Sequence, residues 1–314
     1  MTVHFLRDDD LTVDAQRSVL ALALDLKSGA VAPRPFEGRA VAVLFDKAST
    51  RTRVSFSVGI HELGGYPLVL DAAGTQVGRG ESVEDTVRVL DRQVAAIVWR
   101  TFGQENLDRA AAVSAVPVVN ALTDEFHPCQ VLADLQTVAE HRGGLAADGP
   151  ALAGRSLAYL GDGANNMAHS YLLGGVTAGM DVRIAAPAGY HPDPAVVERA
   201  REIAALTGGS VLVTTDPDEA VDGVTAVATD TWVSMGQEAE AGERESPFVP
   251  YRVDERLMDR GADAVFLHCL PVYRGMEATA DVVDGPRSVI WDEAENRRHA
   301  QKAVLVHLLE EAAR

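Results

Sequence analysis

The stretch VAVLFDKASTRTRVSFSVGIHEL, Val41–Leu63, joins a strand pattern to a helix pattern through a polar segment. Its first residues, Val41–Phe45, form an apolar run suited to a strand that is buried on both faces. From Asp46 to Arg53 no apolar residue is larger than alanine, and the apolar residues after them recur at helical spacing. The pattern therefore predicts polar side chains where a strand turns into a helix. At such a junction the helix dipole and the first backbone N–H groups favour an anion.

The residue types in this junction suit a phosphate group. Ser49, Thr50 and Thr52 can donate hydroxyl hydrogen bonds, and Arg51 offers a planar fork that matches two phosphate oxygens. The ordinary alternative is a helix cap followed by solvated arginines. Because the segment contains no glycine, it is not a Walker loop and implies no nucleotide. It is a candidate phosphate clamp, with Lys47 close by in sequence.

The composition limits the possible partners. With 314 residues, the chain is long enough for about two domains with cores of their own. A formal charge of −18 and a pI near 4.8 argue against nucleic acid or an anionic membrane surface as a partner. An anionic substrate therefore has to bind in a local basic pocket on an acidic protein.

Cysteine usage and the N-terminus predict a cytosolic, or cytoplasmic, protein. The chain has two cysteines, Cys129 and Cys269, far apart in sequence, which is not the pattern of a disulfide framework. No apolar run approaches the ~20 residues of a membrane span. The first residues, MTVHFLRDDD, are typical neither of a signal peptide nor of a transit peptide.

Strand-like and helix-like segments alternate along the whole chain, after an amphipathic helix over residues 11–28. This alternation predicts an α/β fold with two doubly wound parallel-sheet domains, joined by a linker at His141–Ala153 and by a C-terminal crossover helix. The predicted domains are residues 1–145 with 293–314, and residues 150–292. The predicted strands after the first are Tyr66–Leu70, Val94–Trp99, Val116–Asn120, Leu157–Leu160, Val182–Ala186, Val211–Thr214, Val224–Thr229, Val265–Leu267 and Val289–Trp291.

In the first half, polar residues follow two further strands. Arg100 lies at the end of a strand, where ligands bind in open α/β sheets, although alone it is also typical of a solvated edge charge. His127 and Gln130 lie at the start of a helix, with Pro128 between them at a favoured first position. We expect these groups on the same side of the sheet as the phosphate clamp.

The second half repeats this arrangement. Asp230 directly follows a strand and suits a substrate ammonium, or it caps the turn that it begins. Cys269 also follows a strand, where a free cysteine is most often a small buried hydrophobe. Its neighbour His268 points to the opposite face of the strand, so the two do not form a Cys–His dyad. Arg297 is expected in the first turn of the last helix, where a cation opposes the dipole and so hints at function.

The segment GDGANN, residues 161–166, leaves a rival interpretation open. A strand followed by G-x-G at a helix start is typical of dinucleotide binding, which makes a nicotinamide oxidoreductase an alternative. Asn166 stands where the last glycine of that fingerprint belongs, and the next strand ends at Ala186 and Pro187 without an acidic residue for a ribose.

Taken together, the motifs STRTR, HPCQ, DTWVSMG, HCLP and EAENR resemble those of ornithine carbamoyltransferases over nearly the whole chain. STRTR and HPCQ are similar to the carbamoyl-phosphate half of the wider transcarbamoylase family. DTWVSMG and HCLP are similar to the ornithine branch, whereas aspartate transcarbamoylases resemble only the first half of this chain.

The resemblance implies transfer of a carbamoyl group from carbamoyl phosphate to the δ-amino group of L-ornithine, giving citrulline and phosphate in arginine metabolism, either in arginine biosynthesis or in arginine breakdown. It implies no metal and no organic cofactor. It also implies a homotrimer, or a multiple of trimers, in which the loop with Gln76 reaches a neighbour's active site. By motif, the carbamoyl-phosphate residues are Ser49, Thr50, Arg51, Thr52, Gln76, Arg100, His127, Gln130 and Arg297. The ornithine residues are Asn166, Asp230, Ser234, Met235, Cys269 and Leu270.

The resemblance assigns the chemistry itself to Arg51, Arg100, His127, Cys269 and Arg297. Attack by an amine on carbamoyl phosphate creates an oxyanion and then expels phosphate, so donors aimed at both charges stabilise the transition state. The ornithine ammonium must first lose a proton, and Cys269 beside Asp230 is the candidate to accept or relay it. Another acceptor such as putrescine, or a non-catalytic binding protein, remains an alternative at this point.

Overall fold

The structure is a computed structural model, and it describes residues 2–71, 80–232 and 246–313. The chain divides into two compact units, Met1–Ala133 with Glu295–Arg314, and Asp134–Ala294. Both boundaries lie inside helices: one within the helix Pro128–His141 and the other within the helix Ile290–Ala312. The chain therefore passes from one unit to the other along continuous helices.

The first unit contains a parallel sheet of four strands in the order β2-β1-β3-β4. Buried central strands β1 and β3 are apolar almost throughout, as expected for strands covered on both faces. Its elements, in chain order, are α1 (Val13–Ser28), β1 (Ala40–Phe45), α2 (Thr50–Glu62), β2 (Tyr66–Asp71), α3 (Val83–Leu90), β3 (Ile97–Arg100), α4 (Gln104–Val113), β4 (Val118–Leu122) and the first part of α5 (Pro128–His141).

The second unit contains a parallel sheet of five strands in the order β7-β6-β5-β8-β9. Its elements are the rest of α5, then β5 (Ser156–Leu160), α6 (Asn166–Thr177), β6 (Asp181–Ala185), α7 (Pro194–Thr207), β7 (Ser210–Thr214), α8 (Pro217–Val221), β8 (Ala226–Thr229), α9 (Glu255–Met258), β9 (Val265–His268), α10 (Ala280–Val283) and the start of α11 (Ile290–Ala312). Two parallel α/β sheets confirm the predicted fold class.

The strand predicted at Val289–Trp291 is wrong. Only one isolated parallel bridge forms there, between Phe266 and Ser288, and the helix α11 already begins at Ile290. A run of three apolar residues is too short to separate a strand from a buried helix start. The earlier start of α11 also moves Arg297 two turns into the helix, so the predicted opposition between this cation and the helix dipole is wrong as well.

In both sheets the strand order reverses at an interior strand. In the first unit β1 is followed along the chain by β2 on one side and then by β3 on the other. In the second unit β5 has β6 on one side and β8 on the other. Ligands of open α/β sheets bind beyond the carboxyl ends of strands at such reversals. Ligand-binding residues are therefore expected directly after β1, β3, β5 and β8.

Among the described residues, no helix is both long and apolar enough to cross a membrane.

Candidate active site

In the first unit, the chain leaves β1 at Phe45 and enters α2 at Thr50. Ser49 is the N-cap of α2, and its hydroxyl accepts a hydrogen bond from the Thr52 backbone N–H at 3.2 Å. This cap fixes the turn, and the first N–H groups of α2 point beyond the sheet. Thr50 and Arg51 form the first turn of α2, so the structure places the predicted clamp residues at one helix start.

Two arginines converge on the hydroxyl of Thr52. The Thr52 oxygen accepts hydrogen bonds from Arg297 Nη2 at 2.8 Å and from Arg100 Nη1 at 3.4 Å. Thr52 is fully buried, and Arg297 and Arg100 are 3% and 6% exposed. A hydroxyl oxygen has two lone pairs, so these two bonds occupy both and direct the hydroxyl proton elsewhere. The hydroxyl and both guanidinium groups can thus donate to an anion.

A small irregularity of the sheet positions Arg100. The register of β3 against β4 shifts between Trp99 and Arg100, so Trp99 faces Asn120 and Arg100 faces Leu122. Such a bulge redirects a side chain and is common beside active sites. Trp99 meanwhile donates its indole N–H to Asp46 at 2.9 Å, which holds the end of β1.

His127 and Gln130 lie at the start of α5 and are buried. The pKa of His127 is well below its usual value, first because of burial and then because Arg297, Arg100 and Arg51 lie near. The imidazole is therefore neutral at pH 7. All the charged groups that shift this pKa are cations, so the surroundings of the imidazole are positively charged. Buried cations attract an anion more strongly than solvated ones.

Other residues near these motifs have structural partners. Lys47 forms an ion pair with Asp124 and lies over the ring of Phe102, 4.6 Å from its centroid. Cys129 is buried and donates its thiol to the Asn120 carbonyl at 3.3 Å. Burial raises the pKa of Cys129 to about 12, so this thiol stays protonated.

In the second unit, the ends of β8 and β9 bring Asp230 and Cys269 together. The Cys269 thiol donates a hydrogen bond to Asp230 Oδ1 at 3.2 Å. The same carboxylate oxygen accepts from the Thr231 backbone N–H at 2.7 Å, which fixes the carboxylate at the strand end. Asn166 is the first residue of α6, after β5. The sequence predicted Asp230 and Cys269 directly after strands and Asn166 at a helix start, and the structure has them there.

The Cys269 thiol stays protonated at neutral pH. Its pKa is well above the usual range because of burial and because Asp230 and Glu293 lie near. A thiol that already holds its proton cannot take up another one. Of the two roles predicted for Cys269, accepting the proton or relaying it, a protonated thiol that is hydrogen-bonded to Asp230 suits the relay.

The sequence motifs do not indicate a contact between Asn165 and Tyr159 near the start of α6. Asn165, not Asn166, is the N-cap of α6, and it donates its amide to the hydroxyl of Tyr159 at 2.7 Å. Asn165 caps α6 by accepting a hydrogen bond from the Ala168 N–H. An asparagine just before a helix pattern is a sequence signal for such a cap. The contact with Tyr159 depends on the packing of β5 and has no local signal.

The glycines of GDGANN are explained without a nucleotide. A Cβ at Gly163 would lie 2.7 Å from the Tyr190 carbonyl oxygen and 3.0 Å from the Ala186 Cβ. The close approach that this glycine permits is therefore to the protein's own chain, which explains the glycine without a ligand. Gly161 has φ +133, a conformation that suits glycine. This packing argues against the nicotinamide alternative.

One described group has the composition of a metal site. Ligand atoms of Asp230, His268 and Cys269 all lie within 4.8 Å of one another, so the prediction that His268 and Cys269 point to opposite faces is wrong. Both ring nitrogens of His268 already have partners, the Leu270 N–H at 2.9 Å and Glu277 at 3.2 Å. A ligating imidazole needs a free lone pair. The group is therefore poorly suited to hold a metal ion.

The predicted residues Gln76, Ser234 and Met235 lie outside the described residues.

The fold and the two strand-end clusters define an α/β protein with an anion-binding unit and a unit that carries a carboxylate–thiol pair. Residues 3–140 match the carbamoyl-P binding domain of aspartate/ornithine carbamoyltransferases, and residues 153–308 match their Asp/Orn binding domain. The chain therefore belongs to the aspartate/ornithine carbamoyltransferase family, which confirms the resemblance read from the motifs.

Individual relatives agree with this assignment. The chain is 60% identical to an ornithine carbamoyltransferase of Bifidobacterium longum subsp. infantis, over 97% of this chain and 94% of the relative. It is also 60% identical to that of Clavibacter sepedonicus, over 99% and 100%. Among solved structures, the ornithine carbamoyltransferase from Pyrococcus furiosus matches with a TM-score of 0.90 at 43% identity, covering 98% of this chain and 97% of that one. The ornithine carbamoyltransferase from Gloeobacter violaceus matches with a TM-score of 0.87 at 45% identity, covering 98% of both chains.

Proposed function

We propose that this protein transfers the carbamoyl group of carbamoyl phosphate to the δ-amino group of L-ornithine, giving L-citrulline and phosphate. The observation that carries the proposal is the convergence of Arg100 and Arg297 on the buried hydroxyl of Thr52. A phosphate that leaves with increasing negative charge requires such fixed donors. The names and the full-length similarity of the relatives support the same reaction.

The first unit is suited to hold carbamoyl phosphate. Ser49, Thr50, Arg51 and Thr52 lie at the start of α2 and bind the phosphate with the help of Arg100. His127 and Gln130 bind the carbamoyl oxygen and amine, with Arg297 beside them. A neutral His127 can donate one N–H to the oxyanion without adding a further buried charge.

The second unit is suited to hold ornithine. Asp230 attracts an ammonium group, and Asn166 offers an amide to a carboxylate, so together they favour an α-amino acid over putrescine. The remaining ornithine residues are Cys269 and Leu270 at the end of β9, together with Ser234 and Met235.

The reaction balances as follows. The ornithine δ-ammonium loses one proton, which passes through the Cys269–Asp230 hydrogen bond to solvent. The free nitrogen then attacks the carbonyl carbon, and the bond from carbon to the phosphate oxygen breaks. Because the Cys269 thiol keeps its proton, the negative charge of this pair is on the Asp230 carboxylate. This carboxylate stabilises the ornithine amine as it approaches the carbonyl carbon. A second proton leaves the nitrogen as citrulline forms and passes to phosphate or solvent.

An acceptor panel tests the proposal. The enzyme is assayed with carbamoyl phosphate and, in turn, ornithine, putrescine, lysine, acetylornithine and aspartate, and the carbamoylated product is measured. We expect ornithine to be preferred by a wide margin. Equal or better turnover of putrescine would refute the acceptor assignment, although it would leave the family membership intact.

We also propose a homotrimer. Its support, besides the family resemblance, is an apolar surface on α2 and on β2, which lies at an edge of the described sheet. Val54, Val58 and Tyr66 are 56%, 37% and 65% exposed there. Exposed apolar residues beside a strand edge are typical of a surface that a partner covers. The role in arginine biosynthesis and the cytoplasmic location stay predictions.

A further inference from the structure

The segment after β9 contains a leucine in an unusual backbone conformation. Leu270 has φ +60, in the left-handed region that residues other than glycine seldom adopt. Its side chain packs against the apolar core of the second unit. Because this conformation is unfavourable for leucine, the surrounding contacts must hold it.

One of those contacts is a hydrogen bond from the Leu270 backbone N–H to His268 Nδ1 at 2.9 Å. A ring nitrogen that accepts a hydrogen bond carries no proton. The proton of the His268 imidazole therefore lies on Nε2. That nitrogen lies 3.2 Å from Glu277 Oε1, so His268 donates to the carboxylate of Glu277. A backbone N–H can only donate, so the bond from Leu270 also decides the direction of the bond between His268 and Glu277.

Glu277 also holds the far end of the same segment. Its Oε1 accepts a hydrogen bond from the Tyr273 backbone N–H at 2.6 Å. The side chains of His268 and Glu277 are 0% and 1% exposed, so water does not compete for these bonds. The His268 backbone N–H is in turn bound by Glu293 Oε2 at 2.7 Å. One buried carboxylate thus fixes Leu270 through His268 and fixes Tyr273 directly.

We infer that Glu277 is a positioning residue for the acceptor substrate, acting through the Nε2–H tautomer of His268 to hold Cys269 and Leu270 in their binding geometry. The inference rests on the proposed function, because Cys269 and Leu270 belong to the proposed ornithine site. Glu277 lies in no motif that the family resemblance rests on, and it does not itself touch the substrate. A carboxylate that selects a histidine tautomer orients what the other ring nitrogen binds.

The test compares two substitutions at Glu277. Glu277→Met removes the acceptor of both hydrogen bonds while roughly keeping side-chain length. Glu277→Gln removes only the charge, since its amide oxygen can still accept from His268 and Tyr273. We expect Glu277→Met to raise the KM for ornithine about tenfold or more while the KM for carbamoyl phosphate changes by less than about twofold. We expect Glu277→Gln to stay within about threefold of the native enzyme for both substrates.

A matched control lies in the same segment. Asp284 forms an exposed ion pair with Arg274, at 2.6 Å between Asp284 Oδ1 and Arg274 Nη2. Asp284→Asn weakens that pair without touching His268, and we expect both KM values to stay native. If it raised the KM for ornithine as much as Glu277→Met, general loosening of the segment would explain the result and overturn the inference.

If Glu277→Met does not fold, a pair of variants at His268 replaces it. An asparagine can imitate Nδ1 and keep an acceptor near the Leu270 N–H, whereas a glutamine can imitate Nε2 and keep only the contact with Glu277. We expect His268→Gln to impair ornithine use more than His268→Asn. The opposite order would overturn the role assigned to the Leu270 hydrogen bond.

Nitrogen NMR of histidine-labelled protein tests the tautomer without any substrate. We expect the native His268 ring to show a protonated Nε2 and an unprotonated Nδ1, with its signals assigned by their loss in His268→Asn. A protonated Nδ1 would overturn the inference, whatever the acceptor panel shows. Equal rises in both KM values for Glu277→Met, or a Glu277→Gln variant as impaired as Glu277→Met, would also overturn it. Failure of the proposed function is recognised separately, because the native enzyme would then not carbamoylate ornithine.

Discussion

Replacing Thr52 by valine tests the phosphate site most directly, because valine keeps the shape of threonine and removes only its hydroxyl. In the native structure this hydroxyl accepts a hydrogen bond from Arg297 at 2.8 Å and a long one from Arg100 at 3.4 Å. A hydrogen bond with a charged partner contributes about 1.5–3 kcal/mol. The long bond adds little, since 3.4 Å is near the limit of hydrogen bonding.

This energy predicts the size of the effect. A loss of about 1.5–3 kcal/mol corresponds to roughly a 10- to 160-fold decrease in kcat/KM for carbamoyl phosphate. The decrease has two sources: the two guanidinium groups lose a shared anchor, and the ligand loses a hydroxyl donor. Thr52→Ser keeps the hydroxyl, so we expect it to stay within about fivefold of the native enzyme.

The assay is citrulline formation at saturating ornithine with carbamoyl phosphate varied, together with the rise in Tm caused by carbamoyl phosphate. Ser55→Ala is the control, because Ser55 lies one turn further along α2 and bonds only the Thr52 carbonyl, at 3.3 Å. Native-like kcat/KM in Thr52→Val, with the full rise in Tm, would refute the assignment of phosphate to this hydroxyl and its two arginines.

Three further expectations concern the same sites. Arg51→Lys keeps the charge but loses the planar fork, and we expect a cost of at least ~3 kcal/mol in kcat/KM; a value within about twofold of native would place phosphate elsewhere. Cys269→Ala should raise the KM for ornithine and leave that for carbamoyl phosphate unchanged. Because the pKa of the thiol is raised, it loses its proton only at high pH, so the basic limb of the pH–rate profile should persist in the variant up to about pH 9; a limb that disappears would show that the thiol titrates in this range. Arg51→Ala and Gln76→Ala, each inactive alone, should restore activity when unfolded, mixed and refolded, since a mixed trimer pairs a native Arg51 with a native Gln76; hybrids without activity would contradict a shared site.

Much of the fold follows from the sequence because both sheets are parallel and buried. Strands such as Ala40–Phe45 and Ala226–Thr229 are covered on both faces, so they appear as continuous apolar runs between polar helix starts. The functional residues follow those runs directly, because the open ends of parallel strands are where a ligand fits. Position after a strand therefore marked Arg100, Asp230 and Cys269 as candidates, and the family resemblance supplied their predicted roles.

The sequence fails where contacts depend on geometry across the fold. The start of α11 was misplaced because Val289 continues the contact with β9 through one hydrogen bond, to the Phe266 carbonyl at 3.1 Å, before the helix begins. The prediction for Arg297 consequently assumed a position in the first turn of the helix, whereas Arg297 lies two turns inside it. The feature that indicates a function is its hydrogen bond to Thr52. Glu277 has no sequence signal, since its importance depends on which nitrogen of His268 faces it.

The position of the buried arginines also explains how an acidic chain can bind an anion. The formal charge is −18, yet charges on a solvated surface are screened over about 8–10 Å at physiological ionic strength. Arg100 and Arg297 are almost fully buried, and both donate to the neutral hydroxyl of Thr52. Their field acts on a nearby ligand through protein rather than water, where an interaction of the same geometry is several times stronger. The pKa of His127 is lowered first by burial and then by these same cations, so their field already acts on a group in place. Local burial of a few cations, and not the charge of the whole chain, therefore decides which ligand this end of the sheet attracts.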